Sequence, residues 1–272
     1  MINTINLNGY DLIDTKVTSS KGNQQKWSVD DLWYKADHMG YEALCEVVIS
    51  KLLTKSNVNN FVAYHPTKIE FDNKTLNGCY SKNFKGKNES IVTLEHLAKS
   101  WLANSMAKEL LNYQTPEDKI KHTVNFIEKV THLENVGAYI TMMIELDAFF
   151  LNEDRHTNNI AFILNDETGE FRFCPYFDFG LSLLADTTED YPIGLDIYKG
   201  IEKIKAKPFN DDFDIQLEAA TKLFGDQLKL SFTNYDIEKT IETVNDYYPI
   251  KIITRVKSLL YNQRHKYIYM FG

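Results

Sequence analysis

The residues best suited to chemistry lie in one polar loop and in a short motif that follows it. Asp154 precedes Asn159 by five residues in the sequence DRHTNNI, and Asp178 comes later in the sequence YFDFG. A carboxylate can orient a hydroxyl group and accept its proton. A second carboxylate and a carboxamide oxygen are hard ligands of the kind that Mg²⁺ prefers. This set is typical of phosphoryl transfer, which depends on positioning and charge neutralisation.

Other residues of the same loop admit both a chemical and a structural interpretation. His156 is a candidate to orient Asp154 or to donate to a phosphate oxygen, and Arg155 is expected to tether the loop. Asp-Arg-His alone is also typical of a surface salt bridge, and Asp and Gly are common turn residues. The two motifs occur in order, after an apolar helix and on either side of a predicted hairpin, and this combination favours the chemical interpretation.

Apolar patterning predicts the elements that would hold these motifs. The run 136–151 is apolar nearly all round, which indicates a helix in the protein interior, and 160–179 has a strand-like pattern. Pro116 with the acidic residues after it marks the start of a helix that ends near His132. Further helices are predicted at 41–53, from 94 onward, at 235–247 and at 252–261, and strands at 12–17, 27–35, 60–64 and 78–84.

This order of elements predicts an α+β protein with two parts. Residues 1–89 form a small strand-rich part and residues 90–272 a larger, mainly helical part. A cleft between two such lobes is a natural place for a nucleotide.

Composition narrows the class of protein. The 272 residues are 43% hydrophobic and 25% charged, with a net charge of −8, which indicates a globular chain with little attraction to nucleic acid or anionic lipid. The three cysteines are far apart, and the seven histidines form no metal-binding motif. No segment is typical of a secretory signal or a membrane helix. We therefore expect a cytoplasmic protein.

The sequence resembles the HipA-like kinases. The sequences DRHTNNI and FDFG are similar to the catalytic and metal-binding loops of that family and of the related phosphatidylinositol 3- and 4-kinases, and the likeness to the HipA-like group extends over most of the chain. The resemblance implies a bilobal protein-kinase-like fold that uses ATP and Mg²⁺. It also implies that Asp154 is the catalytic base and that Asn159 and Asp178 bind the metal.

The resemblance extends to the segment WYKADHMGYEALCEVVISKLL. It is similar to the strand and helix that carry the ATP-binding lysine and its glutamate partner, which implies that Lys35 contacts the ATP phosphates. Glu46 is the favoured partner and Glu42 the rival, because residues four apart share a helix face. By its order along the chain, 78–84 fills the hinge position, where backbone groups of Tyr80 and Ser81 would meet adenine.

The polar segment 19–26 is similar to the family's phosphate loop, Ser-x-x-Gly-x-Gln-x-Lys. This similarity implies that Gly22 and Gln24 bind the nucleotide. Ser19 matches the serine that HipA-like kinases autophosphorylate, and Ser20 lies beside it. A phosphate there would repel the phosphates of bound ATP and disfavour the closed loop. The alternative is that these hydroxyl groups cap a turn.

These features together predict a Ser/Thr protein kinase with a protein acceptor, a regulatory partner protein and no direct binding of nucleic acid or membrane. A lipid or small-molecule kinase of the same fold is the second interpretation, and a nucleotide-binding pseudokinase scaffold is the third. HipA toxins have a further N-terminal subdomain, whereas the phosphate-loop motif here begins within the first twenty residues. This departure predicts a free-standing kinase core, so the resemblance does not decide whether the protein is a toxin and implies no DNA-bound antitoxin partner or particular substrate.

Overall fold

A computed structural model describes residues 2–13 and 24–271 of the protein. The predicted Ser19, Ser20 and Gly22 lie outside the described residues. The elements are β1 Thr4–Asn6, β2 Lys26–Val29, β3 Leu32–Ala36, α1 Glu42–Leu53, β4 His65–Phe71, β5 Lys74–Lys82, β6 Glu89–Thr93, α2 Leu94–Leu102, α3 Met106–Glu109, α4 Pro116–Thr131, α5 Val136–Phe150, β7 Ala161–Asn165, β8 Phe171–Phe173, α6 Ile197–Lys203, α7 Phe213–Phe224, α8 Asn234–Glu242 and α9 Ile250–Lys266.

The chain divides into two compact units that are discontinuous in sequence. The first unit consists of the described residues of Met1–Asn83, Asp178–Ile204 and Lys229–Gly272, and the second of Phe84–Phe177 and Lys205–Leu228. The chain thus passes from the second unit to the first between Phe177 and Asp178, the first two residues of the FDFG motif. The boundary between two lobes that the sequence predicted at residues 89 and 90 stays a prediction.

The first unit is built on a five-stranded sheet in the order β1-β4-β5-β3-β2, in which only the β1–β4 pair is parallel. One face buries Trp27, Tyr34 and Ile69 in a small apolar cluster. Helix α1 packs against β5 and α8, and eleven of its twelve residues are buried. Such burial suits a helix that must hold a charged side chain away from solvent.

The second unit combines a three-stranded sheet, β6-β7-β8, with helices α2–α5 and α7. Helix α5 is buried along most of its length and packs against α4 and α7. A Cβ atom at Gly137 would collide with the ring of Phe224, so the α5–α7 contact requires a glycine there. Helix α5 ends at Phe150, and the next residue, Leu151, has a φ of 54° and turns the chain towards the DRHTNNI loop.

Several predicted elements are confirmed, and a few are corrected. The helices predicted at 41–53, 116–132 and 136–151 form nearly as expected. The predicted strand 60–64 does not form, because the amide of Tyr64 donates to the hydroxyl of Ser50 on α1 and its side chain is buried. The segment 27–35 is a hairpin instead of one strand and turns at Asp30, which has a φ of 53°.

Two further segments also differ from expectation. The predicted helix that begins near Leu94 is broken at Ala103, whose φ is 52°, and continues as the short α3. Leu12 and Ile13 are not in a strand, and the rest of 12–17 lies outside the described residues. Among the described residues, no helix combines the length and apolar character needed to cross a membrane.

Glu145 on α5 links the stability of the second unit to pH. Its carboxylate accepts hydrogen bonds from the amides of Gln227 at 3.0 Å and Leu228 at 2.8 Å. Burial nevertheless raises the pKa of Glu145 to about 7. The folded state therefore holds a proton that the unfolded chain has already released, and folding is weakened as pH rises from about 4.5 to about 7.

We predict that Glu145→Gln flattens this part of the stability profile. From pH 5 to pH 8 the unfolding free energy should shift in favour of the variant, relative to wild type, by ~3 kcal/mol. Urea unfolding across that pH range measures the difference, with the exposed Glu218 as a Glu→Gln control on α7. If the unfolding free energy of Glu145→Gln had the same slope against pH as that of wild type, Glu145 would not be the group responsible for the pH dependence.

Candidate active site

A buried ion cluster in the first unit joins three of the predicted site residues. The ammonium of Lys35 on β3 lies 2.5 Å from Glu46 Oε1 on α1 and 2.7 Å from Asp178 Oδ1. Lys35 and Glu46 are 7% and 1% exposed. Burial alone would lower the pKa of Lys35, but Asp178 and Glu46 outweigh it and raise the pKa well above its usual value. Lys35 is therefore a fixed cation.

The structure pairs Lys35 with Glu46 instead of Glu42. Glu42 accepts hydrogen bonds from the amides of His38, Met39 and Gly40 and so holds the turn that precedes α1. The two glutamates are one helical turn apart, yet only the second reaches β3. The function of the Lys35–Glu46 pair in binding ATP stays a prediction.

Glu46 also fixes the backbone next to Asp178. Its Oε2 atom accepts a hydrogen bond from the amide of Phe179 at 3.0 Å. Asp178 itself has a φ of 61°, in the left-handed region that Asp tolerates better than most residues. A Cβ atom at Gly180 would lie 3.2 Å from the Cβ of Glu42, so the glycine serves close packing on α1, while the sharp turn occurs at Asp178.

Lys26 is a residue of this cluster to which the sequence assigned no function. Its ammonium lies 4.0 Å from Asp178 Oδ1, so two lysines and two carboxylates face one another. Lys26 is the last residue of the segment that resembles the phosphate loop. Its place in that motif was the signal in the sequence that could have identified it as a site residue. Gln24 lies just before β2 and is partly buried.

Tyr80 and Ser81 lie within strand β5 of the same unit. Tyr80 is paired with Tyr34 on β3 and with His65 on β4, and Ser81 is paired with Trp33 on β3. Tyr80 is thus inside the sheet, while Ser81 lies beyond the end of β4. Their contact with adenine stays a prediction.

The second unit contains the loop of Asp154, which a buried ion pair holds in place. Arg155 is 2% exposed and donates to both carboxylate oxygens of Asp147 on α5, at 2.9 and 3.0 Å. It also donates to the carbonyl oxygens of Asn159 at 2.8 Å and Phe177 at 3.1 Å. The expected tether is therefore real, and its buried partner Asp147 was missed because no short motif joins the two positions.

Hydrogen bonds inside the loop orient the predicted catalytic groups. Asn159 Nδ2 donates to the carbonyl oxygen of Asp154 at 2.8 Å, which turns its carboxamide oxygen in the other direction. The amide of Asn158 donates to His156 Nδ1 at 3.2 Å. In a neutral ring the proton is then on Nε2, which lies 3.7 Å from Asp154 Oδ2. His156 is thus placed to orient Asp154.

The cation beside Asp154 was not foreseen from the sequence. The ammonium of Lys207 lies 3.6 Å from Asp154 Oδ1, on the carboxylate oxygen other than the one near His156. Lys207 is far from Asp154 in sequence and belongs to no recognisable motif, so the sequence contained no signal for it. The structure thus gathers Asp154, His156 and Asn159 in the second unit, and Lys35, Glu46 and Asp178 in the first.

No protein-family model and no curated protein sequence matches the chain, but solved structures do. A Helicobacter pylori proinflammatory kinase, CtkA, matches with a TM-score of 0.63 and 14% identity over 97% of this chain and 94% of its own. HipA of the Shewanella oneidensis toxin–antitoxin system, solved with HipB and operator DNA, matches with a TM-score of 0.50 and 14% identity over 93% of this chain and 66% of its own.

This chain has the fold of CtkA and HipA. The predicted α+β kinase-like fold and the predicted likeness to HipA-like proteins are thereby confirmed at the level of fold. The functions of individual site residues stay predictions, because an identity of 14% transfers no residue role.

We predict that Asp147→Asn destabilises the second unit strongly, because it leaves the guanidinium of Arg155 buried without a counter-charge. The expected loss is about 3 kcal/mol of unfolding free energy. Urea unfolding at pH 7 measures it, and the same exchange at the exposed Asp166 is the control. An equal, small effect of the two substitutions would show that the ion pair does not hold the loop.

Proposed function

We propose that this protein is an ATP- and Mg²⁺-dependent kinase. The observation that carries the proposal is the cluster of Lys35, Glu46 and Asp178, which occurs in a chain with the fold of a known kinase. A buried lysine fixed between two carboxylates is costly to maintain in a purely structural site. The same arrangement is well suited to meet the phosphates of a nucleotide and its metal ion.

The nucleotide end of the site would rest on the first unit. Lys35 is charged and held by Glu46, so it can meet phosphate oxygens without reorganising. Lys26 would add a second positive charge near the same phosphates. Gly22 and Gln24 are proposed to contact the phosphates from the N-terminal segment, and Tyr80 and Ser81 to contact adenine.

The available donors fit Mg²⁺. The carboxylate of Asp178 and the carboxamide oxygen of Asn159 are hard oxygen ligands, and the Asn159 amide nitrogen is already bonded to Asp154. We propose that these two residues bind the metal. The metal ion would supply neutralisation of the charge on the phosphate oxygens.

Asp154 is proposed as the catalytic base. Its carboxylate would orient an acceptor hydroxyl and take its proton as the new bond to phosphorus forms. His156 and Lys207 flank its two oxygens, at 3.7 and 3.6 Å, and would hold the carboxylate in position. The Asp147–Arg155 pair fixes the loop backbone beneath it.

The finer proposal is a cytoplasmic Ser/Thr protein kinase that also phosphorylates Ser19 or Ser20. Both residues lie outside the described residues, and the proposal rests on their match to the phosphate-loop motif. HipA was solved in a complex with HipB and operator DNA. For this chain, whose net charge is −8, we propose a regulatory protein partner and no direct contact with nucleic acid.

Incubation with Mg²⁺ and γ-labelled ATP tests the proposal. We predict label on Ser19 or Ser20 in wild-type protein, and a loss of at least about a hundredfold in rate in Asp154→Ala and Asp178→Ala. Mass spectrometry locates the label, and the same exchange at the exposed Asp246 is the matched control.

The remaining outcomes separate the alternatives. ATP binding without any transfer, unchanged by Asp154→Ala, would overturn the kinase proposal in favour of a pseudokinase scaffold. Transfer to an added lipid or small molecule, with none to protein, would keep the kinase and overturn the protein acceptor.

A further inference from the structure

A pocket of about 230 Å³ in the second unit opens beside the proposed catalytic base. It is formed where α4 and the turn after α3 approach the Asp154 loop and the segment that begins at Lys205. The residues that matter here are three basic and three apolar side chains that line it: Lys119, His156, Lys207, Leu110, Leu111 and Pro208.

Two of the basic residues connect the pocket directly to Asp154. Lys207 Nζ lies 3.6 Å from one carboxylate oxygen of Asp154, and His156 Nε2 lies 3.7 Å from the other. A group bound in the pocket would therefore lie next to the atom that is proposed to accept the hydroxyl proton. This position is where a phosphate acceptor has to bind.

The charge of the pocket favours an acidic ligand. None of the described residues that line it is acidic. Lys207 faces Asp154, whereas Lys119 is partly exposed and has no carboxylate partner among the residues that the structure describes. A lysine without a counter-charge on the wall of a pocket can pair with an anionic group of a ligand.

The apolar wall favours a chain over a small molecule. Leu111 at the pocket edge is 76% exposed, so it offers an apolar contact outside the pocket itself. An extended peptide could place its hydroxyl at Asp154 and an acidic side chain at Lys119, and still cover Leu111. A small hydroxy acid would leave Leu111 exposed.

We propose that this pocket is the acceptor subsite and that it selects serine or threonine residues with an acidic side chain nearby in the peptide. The inference rests on the proposed kinase function and specifies its acceptor. In the reaction, the acceptor oxygen forms a bond to the γ-phosphorus of ATP and gives its proton to the carboxylate of Asp154. The bond from that phosphorus to the bridging oxygen breaks, and its electron pair leaves with ADP.

Matched peptides test the inference. Each contains one serine flanked by glutamate, by glutamine or by lysine, and transfer from γ-labelled ATP is followed with the whole protein and Mg²⁺. The glutamate peptide should exceed the glutamine peptide in kcat/KM by about two- to fivefold, as expected for a partly exposed charge pair.

Charge reversal on the pocket wall is the decisive variant. Lys119→Glu should remove the preference for glutamate or turn it towards lysine, mainly through KM, since Lys119 binds the peptide and does not touch the reacting atoms. Lys119→Gln gives the same direction of change if the reversed variant fails to fold. Lys121→Glu on the exposed side of α4 is the matched control, because Lys121 does not line the pocket.

Failure of this inference can be told apart from failure of the proposed function. Transfer that depends on Asp178 but shows no preference for acidic peptides, or a preference unchanged in Lys119→Glu, would overturn the subsite and leave the kinase standing. Transfer to free glycerate and to no peptide would overturn the peptide acceptor. No Asp178-dependent transfer to any acceptor would overturn both.

Discussion

The ion pairing of the buried Lys35 ammonium with Glu46 and Asp178 is the interaction on which the first unit depends. A lysine that is 7% exposed cannot remain charged without partners, and Glu46 and Asp178 supply them from α1 and from the FDFG segment. The pair joins β3 to α1, and the bond from Phe179 to Glu46 joins both to the chain that follows Asp178. Loss of Lys35 would leave two carboxylates facing each other. The positive charge of Lys35 therefore both stabilises the local fold and provides the proposed contact to phosphate.

The second unit also contains a buried ion pair, which holds the loop of Asp154. The Asp147–Arg155 pair is buried, and its guanidinium also binds the carbonyl oxygens of Asn159 and Phe177. One side chain thus fixes both ends of the segment that leads from the Asp154 loop to the FDFG motif. Asp154 itself remains next to a pocket, flanked by His156 and Lys207. Such rigid support would suit the proposed role of Asp154 as the catalytic base.

The sequence-based predictions of the candidate site came from short motifs. Asp154, Asn159 and Asp178 could be named because their residue types and spacing carry a chemical meaning. The choice between Glu42 and Glu46 could not be made, because positions four apart share a face, and only the packing of α1 on the sheet separates them.

Contacts between residues that are far apart in the chain could not be predicted from the sequence. Lys207 reaches Asp154, and Asp147 reaches Arg155, without any periodicity or motif that would connect them. The segment 60–64 had the apolar residues of a strand, but its Val62 and Tyr64 side chains are buried and the amide of Tyr64 donates to the hydroxyl of Ser50 on α1. Helices with strong start signals, such as α4 with Thr115 and Pro116, were predicted well because their signals are local.

The proposed function requires that the cluster of Lys35, Glu46 and Asp178 bind the phosphates of ATP together with Mg²⁺. Calorimetric titration with ATP, with and without Mg²⁺, tests it most directly in wild type, Lys35→Met and Asp178→Asn. We expect Mg²⁺ to strengthen ATP binding to wild type by about tenfold or more, Asp178→Asn to remove this gain, and Lys35→Met to weaken ATP binding itself. ATP binding that is independent of Mg²⁺ and equal in all three proteins would contradict it.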